Sequence, residues 1–340
     1  MAAQSKYNVA VVGATGLVGQ QVLKILAERK FPVGELFPLA SDRSAGKTIV
    51  WQKKQYEVKE TTPQSFKGVD FVFMAASNAA SKEFAPIAVK SGAVVIDKSS
   101  FFRMDPTVPL VVPEVNGADI KKHKGIIASP NCSTIPMVVA LNPLHQVNPI
   151  KHIVVDTYQA VSGTGSAAVD ELELQVQQIA AGKPTAPKVY PRQIALNVLP
   201  EVDSFLDNGY TKEEWKMVEE TRKIMHAAKM QISATCVRVP VYVGHSEAVH
   251  VEFSRPISPE EVNTILREAP GVKVMDNPKT RLYPTALDAD GKDEVFVGRI
   301  RQDASNPKGL VMWVVSDNIR KGAALNAIQI AEELVSRQLI

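Results

Sequence analysis

Tyr7-Asn8-Val9-Ala10-Val11-Val12-Gly13-Ala14-Thr15-Gly16-Leu17-Val18-Gly19 decides the fold class of this chain. Its opening run is apolar without regular polar alternation, the pattern of a strand covered on both faces in a parallel sheet. Beyond it Leu17, Val18, Val22, Leu23 and Leu26 recur at helical spacing. Strand, glycine turn and helix in that order form a dinucleotide-binding arrangement. Glycine permits the tight turn and lets main chain approach a pyrophosphate, whose charge meets the helix N-terminus. The spacing is G-x-x-G-x-x-G, a relative of the G-x-G-x-x-G fingerprint. A plain glycine turn has the same letters. Its place at the first strand-helix junction favours the cofactor, with Gly13, Thr15, Gly16, Leu17, Val18 and Gly19 as candidate contacts.

Working outward, a second strand over Leu36 to Ala40 leads into Ser41-Asp42-Arg43-Ser44-Ala45-Gly46-Lys47. An acid at this place suits a ribose 2′-hydroxyl, whereas arginine with hydroxyls suits a 2′-phosphate. Arg43 flanked by Ser41 and Ser44 favours NADP, provided Asp42 points away. Phe71–Ala76 and Ala93–Asp97 read as further buried strands, separated by a helix from about Ala80 to Lys90, so the alternation is βαβ and the sheet parallel. Lys98-Ser99-Ser100-Phe101-Phe102-Arg103 follows the last of these strands, which places Arg103 on the ligand side of the sheet.

Ile127-Ala128-Ser129-Pro130-Asn131-Cys132-Ser133-Thr134-Ile135-Pro136 is a second strand, turn and helix start. Free N–H groups and the positive end of a helix there favour a thiolate at Cys132, the form that attacks carbonyl carbon. Cys132 is therefore the candidate nucleophile, against the ordinary reading of cysteine as a small buried hydrophobe.

GATGLVG, SSFFR and SPNCSTIP together resemble aspartate-semialdehyde dehydrogenase. The likeness continues through Gln159-Ala160-Val161-Ser162-Gly163-Thr164-Gly165, Arg238-Val239-Pro240-Val241-Tyr242-Val243-Gly244-His245 and Asp317–Asn326. The resemblance implies an α/β chain. A Rossmann-type parallel-sheet dinucleotide-binding domain (residues 1–131 and 319–340, discontinuous) joins an α+β catalytic and dimerisation domain (132–318). It implies NADPH-dependent reductive dephosphorylation of L-aspartyl 4-phosphate to L-aspartate 4-semialdehyde through a cysteine thioester, in lysine, methionine and threonine biosynthesis. The expected assembly is a homodimer or tetramer. By the same resemblance Gln159 orients the acyl group, Arg238 clamps the α-carboxylate and Glu213 holds the substrate ammonium, with Glu214 as the rival register. Lys216 with Arg103 holds the phosphate, and Ser162, Gly163 and Asn318 touch the cofactor.

The residues support that chemistry independently. A thiolate can carry an acyl group while hydride arrives, and N–H groups at the helix start are expected to receive the oxyanion. His245 is read at the turn of a hairpin between a strand over Cys236–Val243 and one through Val249, Val251 and Phe253; imidazole suits taking the thiol proton. Thr211-x-x-Glu214 is a capping box opening a helix, on which Glu213 and Lys216 share a face. Pro184–Pro191 is the most linker-like piece and is expected on the surface.

Composition narrows the alternatives. The 340 residues are 45% hydrophobic and 22% charged with a net charge of +3 and no dense basic run, which argues for small-molecule partners, including inorganic phosphate, and against nucleic acid. No long apolar run suits a membrane. Met1–Lys6 passes into the first strand without a secretory pattern, and two cysteines fit a reducing compartment, so a cytoplasmic protein is expected. The histidines lack metal-ligand spacing, which argues against zinc. Two rivals remain: N-acetyl-γ-glutamyl-phosphate reductase, which needs no ammonium site, and a nicotinamide-binding redox sensor with an oxidisable Cys132.

Overall fold

The computed structural model describes residues 6–340, so most of the stretch read for a leader lies outside the described residues. The chain divides into two compact units, one running to Pro130 and resuming at Ala323–Ile340, the other Asn131–Gly322. Asn131 and the Ile319–Gly322 stretch thus fall in the second unit rather than the first. Asn131 is held there by Glu220, which accepts its N–H at 2.7 Å. The Asp317 carboxylate likewise accepts the N–H groups of Ile319 and Arg320 at 2.8 Å each.

The first unit contains β1 (Tyr7–Val12), α1 (Leu17–Glu28), β2 (Val33–Ala40), the pair β3 (Thr48–Trp51) and β4 (Lys54–Glu57), and β5 (Lys59–Glu60). It continues with β6 (Phe71–Met74), α2 (Asn78–Lys90), β7 (Val94–Asp97), α3 (Pro113–Asn116) and β8 (Ile126–Ala128). The six-stranded sheet has the order β5-β2-β1-β6-β7-β8 with every pairing parallel. The apolar run of β1 follows from burial on both sides. Val9 and Val11 join the core that includes Leu23 and Leu26 of α1, while Ala10 and Val12 join that of Ala85 and Ala88 of α2. Strand order reverses between β1 and β6, which opens a crevice at their carboxyl ends.

The second unit runs α4 (Thr134–Val147), β9 (Ile150–Gln159), α5 (Ser166–Ala180), α6 (Lys212–Ile224), β10 (Gln231–Arg238), β11 (His245–Phe253), α7 (Pro259–Glu268), β12 (Val272–Val274), α8 (Ala286–Ala289), β13 (Val295–Gln302) and β14 (Gly309–Ser316). Its mixed sheet has the order β10-β9-β11-β14-β13-β12, and α4, α6 and α7 pack on it. The expected hairpin is absent, because β9 lies between β10 and β11. Strand β10 stops at Arg238, since Pro240 offers no N–H to a ladder, and Val239–Gly244 crosses the end of β9 instead, with the Val239 N–H donating to the Gln159 carbonyl at 3.0 Å.

The chain then makes a π-helical turn, Arg320–Leu325, and closes with α9 (Asn326–Ser336). Residues Ala327, Ile328, Ile330, Ala331 and Leu334 of α9 belong to the α1 side of the first unit's core. Among the described residues no helix is long and apolar enough to cross a membrane.

Alternation along β11 sets Glu247 on the buried face with His245 and Val249. Both of its carboxyl oxygens are buried without a hydrogen-bond partner, and burial pushes the carboxyl well above its ordinary value of 4.5. Glu247 is thus protonated when folded and ionised when unfolded above that ordinary value, so its contribution to stability falls as pH rises. Glu247→Gln removes the liability at constant shape. Denaturant melts over a pH series rising from 5 should show the variant gaining on wild type as pH rises, by at most about 1.4 kcal/mol per pH unit until the folded carboxyl itself ionises. A difference independent of pH would contradict the neutral acid.

Candidate active site

The nucleophile elbow is built by Asn131. Its Oδ1 accepts the N–H groups of Ser133 at 2.8 Å and Thr134 at 3.4 Å, so it does the work of a helix cap at the start of α4. Those two N–H groups, expected to receive an oxyanion, are therefore already bonded. Behind the elbow Gly322 presses close: a Cβ there would lie 3.0 Å from the Cys132 carbonyl oxygen and 3.2 Å from its Cβ. Cys132 itself is half-buried, with Sγ 3.4 Å from His245 Nε2.

Three strand ends bring the polar groups together. Arg238 ends β10 in register with Gln159 at the end of β9. Ser246 pairs with Tyr158, which sets His245 beside Gln159. The Ala160 N–H donates to His245 Nδ1 at 3.0 Å. A neutral ring accepts at one nitrogen only, so its proton sits on Nε2, facing the sulfur. The Gln159 amide is oriented by the Thr157 hydroxyl, which donates to its Oε1 at 3.0 Å, and by its own Nε2, which donates to Glu213 Oε1 at 3.1 Å. Arg238 is buried. Its Nη1 donates to the Ala160 carbonyl at 2.7 Å, while its Nε has no partner.

Helix α6 supplies the charges. Glu213 Oε1 also accepts from Asn131 Nδ2 at 2.9 Å, and its Oε2 receives Lys216 Nζ at 3.1 Å. Burial alone would raise this carboxyl; the Lys216 charge, with hydrogen bonds from Asn131, Gln159 and Lys216, outweighs it and holds Glu213 at about 2. Lys216 is only partly exposed and also donates to Asp203 at 2.7 Å. Glu214 is used elsewhere. Its Oε2 closes the capping box on the Thr211 N–H at 2.6 Å, and its Oε1 accepts the Cys236 N–H at 3.0 Å. Glu213 thus faces Asn131 and Gln159, whereas both oxygens of Glu214 are engaged at the Thr211 cap and the Cys236 main chain.

Ser162 and Gly163 form a short turn. Asn318 Nδ2 donates to Ser162 Oγ at 3.0 Å, and its Oδ1 accepts the Gly244 N–H at 2.9 Å, tying that turn to the residue before His245. Among the described residues no cluster of three or more histidine, cysteine or acidic groups is arranged to hold a metal.

In the first unit Gly13, Thr15, Gly16, Ser41, Arg43 and Ser44 line one cleft of about 480 Å³, together with Asp42, Ala75 and Ser77. Gly13 has φ +84, and a Cβ on it would overlap the Ala75 carbonyl. Gly16 precedes α1 without a side-chain cap, which suits a phosphate at that N-terminus. Leu17, Val18 and Gly19 do not line the cleft. Gly19 serves packing instead, since a Cβ there would strike the Gly13 carbonyl. Asp42 Oδ1 accepts the Arg43 N–H at 2.8 Å, which turns that carboxylate back on its own chain. Arg103 is buried, with Nη2 donating to the Lys98 carbonyl at 2.8 Å.

Asn131, Thr157, Asp203 and Glu220 were not among the residues read as functional. A residue suited to a helix cap just before Cys132 was a usable signal for Asn131; the others meet the site through long-range contacts that no local pattern encodes.

Comparison with known proteins agrees with this geometry. The family profile described as "Semialdehyde dehydrogenase, NAD binding domain" matches residues 8–123, and that described as "Semialdehyde dehydrogenase, dimerisation domain" matches 141–321. An aspartate-semialdehyde dehydrogenase of Aquifex aeolicus is 56% identical over 98% of this chain and 99% of its own. The crystal structure of aspartate semialdehyde dehydrogenase II complexed with ASA, from Vibrio cholerae, superposes with a TM-score of 0.95 at 48% identity, covering 98% of this chain and 99% of that one. A Candida albicans aspartate semialdehyde dehydrogenase with NADP gives 0.77 at 29%, covering 99% of this chain and 100% of that one. The chain belongs to the aspartate-semialdehyde dehydrogenase family.

Proposed function

We propose that the protein is an oxidoreductase converting L-aspartyl 4-phosphate, NADPH and a proton to L-aspartate 4-semialdehyde, NADP and inorganic phosphate, reversibly, in amino-acid biosynthesis. The observation that carries this reading is the Cys132 Sγ to His245 Nε2 contact of 3.4 Å in a site that also gathers Gln159, Glu213 and Arg238. Glu213 and Arg238 match the ammonium and carboxylate of a free amino acid. An acetylated substrate has no ammonium for Glu213, which disfavours the N-acetyl-γ-glutamyl rival.

In this reading the Cys132 thiolate attacks the acyl carbon, the bond to phosphate breaks, and a thioester forms. Gln159 holds the acyl oxygen. Lys216 offers a cation to the departing phosphate, and Arg103 is kept as the second one. With Nδ1 engaged by Ala160, His245 acts as an Nε2–H donor. It holds the sulfur ionised, then donates a hydrogen bond to the oxyanion of the thiohemiacetal until the carbon–sulfur bond breaks. The reduced nicotinamide supplies hydride when bound.

Residues Gly13, Thr15, Gly16, Ser41, Arg43 and Ser44 would hold the dinucleotide, and Ser162, Gly163 and Asn318 are kept as further contacts. Arg43, with Asp42 turned back on its own chain, supports NADP over NAD. A homodimer is proposed through the residues matched by the dimerisation profile.

Phosphate-dependent oxidation of aspartate semialdehyde, followed at the nicotinamide absorbance, tests the function directly. Cys132→Ser should lower turnover by about 10³-fold or more while NADP affinity changes little; retained turnover would remove the thioester. Arg43→Ala should raise the KM for NADP about tenfold and that for NAD hardly at all. Equal effects on both would assign the 2′-phosphate elsewhere.

A further inference from the structure

Pro184–Pro191, read from composition as a linker, lies within residues 183–199, which contain neither helix nor strand yet are fastened along their length. On α5, Glu171 Oε2 accepts the N–H groups of Lys188 and Val189. One turn further, Gln175 Oε1 accepts those of Ile194 and Ala195 at 3.0 Å each. At the far end Leu199 exchanges both main-chain hydrogen bonds with Arg238, at 2.9 and 2.8 Å.

Between these anchors Tyr190 reaches the active-site turn. Its hydroxyl lies 2.9 Å from Thr164 Oγ1, and its ring packs in one cluster with Val161, Ile194, Ala195 and Leu199. Thr164 follows Gly163 directly, and Gly163 main chain lies hard against the catalytic groups. A Cβ at 163 would stand 3.0 Å from Arg238 Nη1 and 3.2 Å from His245 Nε2. Burial raises the Tyr190 hydroxyl and the Arg238 charge draws it down, so the two groups share one electrostatic neighbourhood.

We propose that Tyr190 is a positioning residue for substrate: it fixes Thr164, and through it the Gly163 main chain that sets where the Arg238 guanidinium lies. This rests on the assignment of Arg238 to the substrate carboxylate. The segment that looks like a tether is then one wall of the amino-acid site, fastened to Arg238 by main chain at Leu199 and to the turn by one phenol.

The test is steady-state oxidation of aspartate semialdehyde by wild type, Tyr190→Phe, Thr164→Val and the double variant, with melting temperatures alongside. Each single variant should raise the semialdehyde KM about 3- to 10-fold. The kcat should stay within about twofold and melting within about 2 °C, and any rise in the KM for NADP, which Gly163 also meets in this reading, should be smaller than that for the semialdehyde. The double variant should be no worse than either single, because both remove one interaction. An unmoved semialdehyde KM in Tyr190→Phe, a rise in the KM for NADP instead, or multiplied effects in the double variant would overturn the proposal. Wild type without turnover would overturn the proposed function as well, so the two failures are distinguishable.

Discussion

The site depends on keeping one carboxylate ionised where water is excluded. Burial of Glu213 by itself favours the neutral acid, and an unpaired buried charge costs several kcal/mol, on the order of the stability of a domain. The attraction of Lys216 and the donors on Asn131 and Gln159 reverse the balance. Because the carboxyl is held at about 2 against an ordinary 4.5, its stabilisation is fully present above the ordinary value and is lost only as pH falls toward 2. Each donor that Glu213 holds is also a piece of the reaction geometry. Asn131 caps the helix behind Cys132, and Gln159 stands beside His245. One charge therefore ties Gln159 and the Asn131 elbow before Cys132 to α6.

His245 is constrained by a different economy of donors. The Ala160 N–H occupies Nδ1, so an imidazolium would set two N–H groups against each other. The ring is thereby more useful as a neutral donor than as a charged acid. In the proposed reading a Cys132 thiolate would accept Nε2–H across the 3.4 Å contact and keep its nucleophilicity without surrendering a proton to its neighbour. The arrangement arises because β9 runs between β10 and β11: the main chain leaving Gln159 passes directly beside the first residue of β11.

That interposed strand is also where sequence reading fell short. The apolar run of β1, the glycine turn and the βαβ alternation were legible because each is a local pattern with a local cause, burial on both faces or a close main-chain approach. The strand, turn and helix start around Cys132 were legible as well, and β8, a turn and α4 stand there. The hairpin expected across Gly244 was not formed, since alternating valines fix a face but not a partner, and pairing with β9 is a contact across many residues. The Thr211-x-x-Glu214 capping box was legible and forms, but the hold of Glu214 on the Cys236 main chain and of Glu213 on Asn131 and Gln159 are long-range contacts that required the fold.

Glu247 and Arg238 are two of the side chains in the second unit that bury a polar atom without a partner, and chemistry separates them. An unsatisfied buried donor or acceptor costs about 1–3 kcal/mol, more when charged. Glu247 can escape the charged part of that cost by taking a proton, and its raised carboxyl does so. Arg238 cannot, because a guanidinium stays charged at any pH a protein tolerates. Its Nε therefore keeps an unmet donor beside a permanent charge. In the proposed reading a substrate carboxylate would meet both, whereas a neutral acceptor of the same shape would meet only the donor. Glu247, on the buried face of β11, sheds only the charge by holding its proton, and its two oxygens stay without partners.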